Sequence, residues 1–577
     1  ISDKFYGVNF VRVLSYSITG TKLLSLISNK AIGAAITISG TSSTSHGVVF
    51  NYDNPKEILA TGGGDIVITG AGAGSGYGIF LQNQDILATT GAIILNAGAK
   101  GIYTANAGMN LGRKVGSPIT ISSSDIRLIA DRLEFVNTAN LSTSGKVTIE
   151  SNADSFTGVL TFPVDNLTLS NDVSGLTLGK ATNTVDITVS NATTIAGPIT
   201  IYGSDLTFNA ALTATDDNIN LHATGNVTQS AALTANGLGL HGTGTFTLTN
   251  TSNNVATIAG GDNTKKMGSL SFVDATGGLT IGTVNPTGIA ATGDVLIETL
   301  SGDILLKEPI FTTSSTTTAA GYTGAIVLNA GKNSAIGTTT GGDIIVSDDG
   351  AVSAPNGITK LYSGKESTST GLTTLAGGTA NNRNSVDETT TTFSPVLNAT
   401  GGNNYALYRE AGNNSLYTDG SNDFVQLASS PIADGATDFT IELWIKPDAS
   451  NFDDTEYHGF IGYYTGITNT RSPSLWLKEG KVHLDSYRNS DKQRFDFLTD
   501  RALITQDEWT HVAFVKDAEI FRVYLDGELA ITTVAPDQVN IEGDSYYIGR
   551  VNNYFSGQLD EVRFWNDART EAEILDL

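Results

Sequence analysis

The chain has 577 residues, more than one ordinary core accommodates, with a formal net charge of −25, 40% hydrophobic and 16% charged residues, and no Cys. The charge excludes a basic stripe for nucleic acid and docking on anionic lipid; the missing Cys excludes a disulfide framework, thiolate chemistry and Cys-ligated zinc. No apolar run reaches the roughly 18–20 residues that span a bilayer, so neither nucleic acid nor membrane insertion is expected. Ile1 stands where Met would open a nascent chain, and no leader pattern follows, so the chain reads as a processed or excised piece.

From the N-terminus onward the sequence is built of short β-branched phrases cut by Gly, Asn and Asp. GDIVI (64–68), GAIIL (91–95), GKVTI (145–149), GPITI (197–201), GDVLI (293–297) and GAIVL (324–328) recur, and GAIILNAGAKG (91–101) is nearly copied by GAIVLNAGKNSAIG (324–337). Alternation puts Val147 and Ile149 on one face and Thr148 on the other. Such a strand cannot bury its face alone. Stacked with two or three strands per coil of roughly 20–30 residues it can, which predicts a right-handed parallel β-helix over 1–363. The rival arrangement is a string of small β-sandwiches. Spacing turns irregular near 250–320, where a bulged loop or a break between repeat blocks is expected. These repeats resemble, in style, filamentous-haemagglutinin-like exoproteins of bacteria, including giant surface adhesins of Bacteroidetes. Residues 364–404, rich in Thr, Ser, Gly and Asn, read as a linker or an extended cap.

Residues 405–577 are of another composition and hold all four Trp. SLYTDGSNDFVQL (415–427), FTIELWIKP (439–447), EWTHVAFV (508–515), FRVYLDGELA (521–530) and FSGQLDEVRFWNDART (555–570) follow in order. FTIELWIKP alternates Phe439, Ile441, Leu443 and Ile445 against Thr440, Glu442, Trp444 and Lys446, and Asp526-Gly527 signals a two-residue hairpin. Together the phrases resemble the laminin-G-like, concanavalin A-like jelly roll, a β-sandwich, which makes the whole chain all-β.

The aromatics Trp444, Trp509 and Trp565 belong to the family pattern and are expected to pack. Tyr463, Tyr464, Arg471, Trp476, His483 and Tyr487 lie in a stretch without family signature and form the candidate ligand patch. Asp419, Gly420, Asn422 and Asp423 gather hard oxygens in one loop. The resemblance implies a structural calcium held by the Gly420 carbonyl and the Asp560 side chain; the plainer reading is a turn at Asp419-Gly420 and ion pairing at Asp560. His222 and His241 are about one coil apart and stack if the coil is regular, but two His do not make a metal site. No phosphate loop, HExxH, GxSxG or paired glycosidase carboxylates occur, so no enzyme is expected. The resemblances imply a secreted adhesin of the bacterial cell surface, of the kind found in gliding or surface-attached bacteria. Its stalk would carry a lectin-like head for an extracellular glycan or surface polymer, and its other partners would be export or anchoring machinery. A fibre, sheath or tail-spike fragment is the alternative, and a polysaccharide-degrading enzyme the third reading.

Overall fold

The computed structural model describes residues 14–19, 26–29, 35–50, 57–114, 120–275, 278–411, 415–452, 456–463, 473–500, 503–541 and 545–575. The chain divides into two compact units, 1–412 and 413–577.

The first unit is a parallel β-solenoid. In Lys146–Glu150 and Ile199–Gly203 every second side chain is interior: Val147, Ile149, Ile199 and Ile201 are fully buried, while Thr148 and Thr200 face out. Pairing is parallel and in phase. Ile36, Ile66, Ile93, Ile126, Val147, Leu176, Ile199, Ile219 and Leu238 succeed one another in one column. One coil runs through Ile199–Gly203, Leu206–Phe208 and Leu212–Ala214 before Asn218–Ala223 pairs back on the first of these strands. Each such aliphatic side chain contributes about 1.5–3 kcal/mol by leaving water, and it does so only because the next coil covers it.

Outside, polar ladders repeat at the strand spacing of about 4.8 Å. Thr161, Thr188, Thr207, Thr228 and Thr247 form one column. In another, the Asn110 amide donates to Asp85 at 2.7 Å, Asn140 donates to Asn110 at 2.7 Å, and Thr168 donates to Asn140.

No break interrupts 250–320 among the described residues. Phe246, Leu270, Val295, Ile326, Thr359 and Asn404 continue one ladder. The spacing lengthens because the chain loops out of the coil, as at 282–288, where Thr283 bridges back to Thr287.

Of the two readings of 364–404, linker or extended cap, the segment takes the one that packs on the solenoid. Leu372 and Ala376, in and beside the helix Leu372–Leu375, enter the solenoid core. Val386, Phe393 and Leu397 join Val327, Tyr362, Tyr405 and Leu407 in a second cluster. Few apolar groups suffice because the backbone is tied down locally: Arg383 donates to the carbonyls of Pro395 (2.6 Å) and Ala380 (3.0 Å). The boundary expected at 405 also moves. Asn404–Tyr408 pairs in parallel with Thr359–Ser363, so this strand belongs to the solenoid.

The second unit is an antiparallel jelly roll with, among the described residues, two six-stranded sheets. One orders Leu416–Asp419, Ser556–Trp565, Asp438–Pro447, Thr510–Asp517, Ile520–Leu525 and Glu528–Val534. The other orders Val425–Leu427, Tyr546–Ile548, His458–Tyr463, Ser474–Lys478, Lys481–Tyr487 and Arg494–Leu498. The alternation read from the sequence builds the core: Phe439, Ile441, Leu443 and Ile445 face Leu475, Leu477, Val482 and Leu484. Asp526 (φ 49°) and Gly527 (φ 77°) make the left-handed hairpin turn between Leu525 and Glu528.

Candidate binding surfaces of the second unit

Each sheet has an outer face, and the two differ. On the first sheet, Glu442, Trp444, His511, Arg563 and Trp565 share that face. Trp565 donates its indole N–H to Glu442 Oε1 at 2.9 Å; Arg563 lies 3.6 Å from the same oxygen, and His511 Nε2 lies 3.9 Å from Oε2. Trp444 packs on His511 with ring centres 5.3 Å apart, and Arg569 lies 4.0 Å over Trp565. Three strands meet at one buried carboxylate. This is packing, the role expected for Trp444 and Trp565, whereas Trp509 is 38% exposed.

Burial holds the His511 imidazole below its ordinary 6.5, partly offset by the Glu442 carboxylate. As pH falls through 6.5, the unfolded chain therefore binds more protons than the folded one, and stability drops. A series of melting temperatures for this unit should decline below about pH 6.5, and His511→Gln should flatten the decline.

On the second sheet, antiparallel register sets Trp476 beside His483, and Ser474 beside Asp485, which pairs in turn with Asp496. The expected ligand patch is only partly assembled. Trp476 and His483 touch, with ring centres 5.2 Å apart, but Tyr463 belongs to the core between the sheets. Trp476 is 1% exposed, Tyr463 and Tyr487 are also buried, and Trp476 donates to Asn552 Oδ1 at 2.8 Å. Its ring is therefore a support, not a platform for a sugar. Tyr464 and Arg471 lie outside the described residues. What this face presents to solvent is different: Arg494, which grips buried Asp485 through two bonds of 2.9 and 3.1 Å, Asp496, and Lys478 over the Tyr457 ring.

The acidic corner also differs from its expectation. Asp419 Oδ1 accepts from the Ser421 and Asn422 amides at 2.8 and 3.3 Å, and Asp423 accepts from the Asp419 amide at 3.2 Å. These carboxylates close a turn. Asp419 pairs with Ser556, whereas Asp560 pairs with Trp444 four residues on, about 13 Å along the strand. The Asp560 side chain accepts from the Glu561 amide. Gly420 and Asp560 therefore do not converge, and among the described residues no three acidic or imidazole groups gather to hold a metal. The residues do not fit the calcium set that the resemblance implies.

Next to this loop lies a cluster that no sequence pattern announced. Val425–Leu427 pairs with Tyr546–Ile548, which brings Phe424 to Tyr547 (ring centres 5.6 Å) and Tyr554 (6.3 Å). The Arg550 guanidinium sits among all three rings, at 4.7 Å from Phe424, 5.2 Å from Tyr547 and 4.9 Å from Tyr554. Gly549 fits here without a side chain: a Cβ would come within 2.8 Å of Thr418, hard against the acidic loop. Phe424 and Tyr417 are exposed, and the Tyr417 hydroxyl donates to Asp448 at 3.2 Å. The rim thus combines aromatic rings, one arginine and the Asp419, Asp423 and Asp448 carboxylates. The 120-odd residues between Phe424 and Arg550 hide it from a local reading.

Residues 419–575 match the model of the family described as the concanavalin A-like lectin/glucanases superfamily. Among solved structures, the chain is similar to the receptor binding domain of botulinum neurotoxin D, with 13% identity, 29% of this chain and 45% of that one covered, and a TM-score of 0.24. It is also similar to domain 4 of an extracellular arabinanase from Geobacillus stearothermophilus, solved with arabinotriose (22% identity, 29% and 81% covered, TM-score 0.22). A third is the heptameric SAP-like pentraxin of Limulus polyphemus (16% identity, 28% and 78% covered, TM-score 0.22). The chain spans less than half of the botulinum domain that it matches. No curated protein matches the chain.

Proposed function

With a lectin-type jelly roll as its second unit, we propose that the chain is a non-catalytic, secreted adhesin of a bacterial surface. In this reading the jelly roll binds a glycan or similar surface polymer and the solenoid supplies reach. The observation that carries it is the Arg550 cluster, where exposed Phe424 and Tyr417 stand beside an arginine, tyrosines and carboxylates. Aromatic and Arg side chains dominate the energetics of recognition surfaces, and carboxylates accept from sugar hydroxyls. The carboxylates Glu442 and Asp485 are engaged by Trp565 and Arg494, which leaves neither placed as a free acid or base. Display of many copies would turn weak single-site contact into firm attachment. A calcium ion forms no part of this reading, because Asp560 stands apart from the loop that carries the other expected donors.

A glycan array probed with the full chain, with and without chelator, tests it. Binding that survives chelator supports the reading. Failure to bind any glycan, or release of reducing ends from a bound polysaccharide, contradicts it.

A further inference from the structure

The register that stacks Ile201, Leu221 and Leu240 inside the solenoid also stacks their outward neighbours Tyr202, His222 and His241. The rings lie face to face, with centres 4.2 Å apart at 24° and then 4.1 Å apart at 8°. At the next coil the column meets Gly261, since Leu240 pairs with Gly260, and the chain leaves as a loop carrying Asp262 and Lys265. On the opposite side Gly179 ends the column, and the loop after it carries Asn183. Two loops therefore wall a stretch of three coils, and between them lies a cleft of about 200 Å³ over the ring stack.

The walls are held in place. Asn183 donates to the carbonyls of Val185 and Tyr202 at 3.0 and 2.7 Å. Asp262 accepts from the amides of Thr264 and Lys265, each at 2.7 Å. Burial, then the neighbouring His241 and Lys265, push the His222 imidazole down to about 4, and burial lowers His241 as well. Both rings are thus neutral near pH 7, and each offers one N–H and one lone pair. The Asn285 backbone and the Asp262 carboxylate partly offset the effect of burial at His241.

We propose that this cleft is a second saccharide site, separate from the jelly roll, which takes one neutral sugar ring by its hydroxyl groups. Its size is below the roughly 300–1,000 Å³ of sites for drug-sized ligands and suits a single ring. Its chemistry is balanced: the Asp262 carboxylate accepts, the Lys265 ammonium donates, and the imidazoles do both, as a row of hydroxyls requires. An anion would meet Asp262. A metal would find the lone pairs of two parallel rings side by side instead of converging.

The test follows the histidine ring carbons of the full chain by NMR during titration with a panel of neutral monosaccharides, with galacturonate and a sulfated sugar as anionic controls. A saturable shift of the His222 signal with a neutral sugar is expected. Thr224→Trp, at an exposed position on the cleft wall, should abolish it by filling the space, and Asp262→Asn should weaken it at least tenfold. Arg550→Ala should leave it intact, which separates this site from the proposed surface of the second unit. No shift with any neutral sugar, a shift only with the anionic controls, or a shift that persists in Thr224→Trp would overturn the proposal.

Discussion

Ile219→Asp is expected to unfold the middle of the solenoid, at a cost of about 5 kcal/mol or more. Ile219 is fully buried between Ile199 and Leu238, in the aliphatic core of the solenoid. The group must either protonate well above its ordinary range or bring water into the column. Asn220→Asp, one residue along and facing outward, should change stability by less than about 0.5 kcal/mol. Each coil touches only its neighbours, so the damage should be local. Hydrogen exchange should show protection lost around 187–260 and kept in 415–575. Uniform loss across both units would contradict a stacked repeat.

Glu442→Ala should cost the jelly roll about 2–3 kcal/mol, since the variant leaves the Trp565 N–H without its acceptor and a void where the buried carboxylate stood. The Trp565 N–H loses its acceptor, and His511 and Arg563 lose the charge they face. For a unit of this size the melting temperature should fall by roughly 5–10 °C. Glu442→Gln keeps an acceptor for Trp565 and should cost less than half as much. Calorimetry resolves the two. Equal melting temperatures for wild type and Glu442→Ala would mean that this face contributes nothing to the stability of the fold.

Much of this architecture was legible because it depends on period. The alternation of GKVTI and FTIELWIKP states which side chains are interior, and the offset of His222 and His241 by one coil foretold their stacking. What failed depended on register between distant strands. That Asp560 lies on the closing strand and Asp419 beside it says nothing of the four residues that separate them along it. Trp476 lies outside the core between the sheets and yet is covered; alternation tells which face a ring takes and not whether that face is open. The segment 364–404 left linker and cap both open because apolar residues are sparse; it packs on the solenoid, held in part by side chain-to-carbonyl bonds, and these leave no periodic trace. The Arg550 cluster draws on residues 424, 547, 550 and 554, which are brought together by the antiparallel pairing of 425–427 with 546–548 and by the bridge from Arg550 to Tyr554.

The rim around Arg550 is therefore the place to measure. Once an array has supplied a glycan, calorimetric titration of the full chain should show binding that Arg550→Ala and Phe424→Ala each weaken by about 30-fold or more, close to 2 kcal/mol, with melting temperatures held within a few degrees. Undiminished affinity in both variants would contradict the assignment and move the contact to another face of the domain.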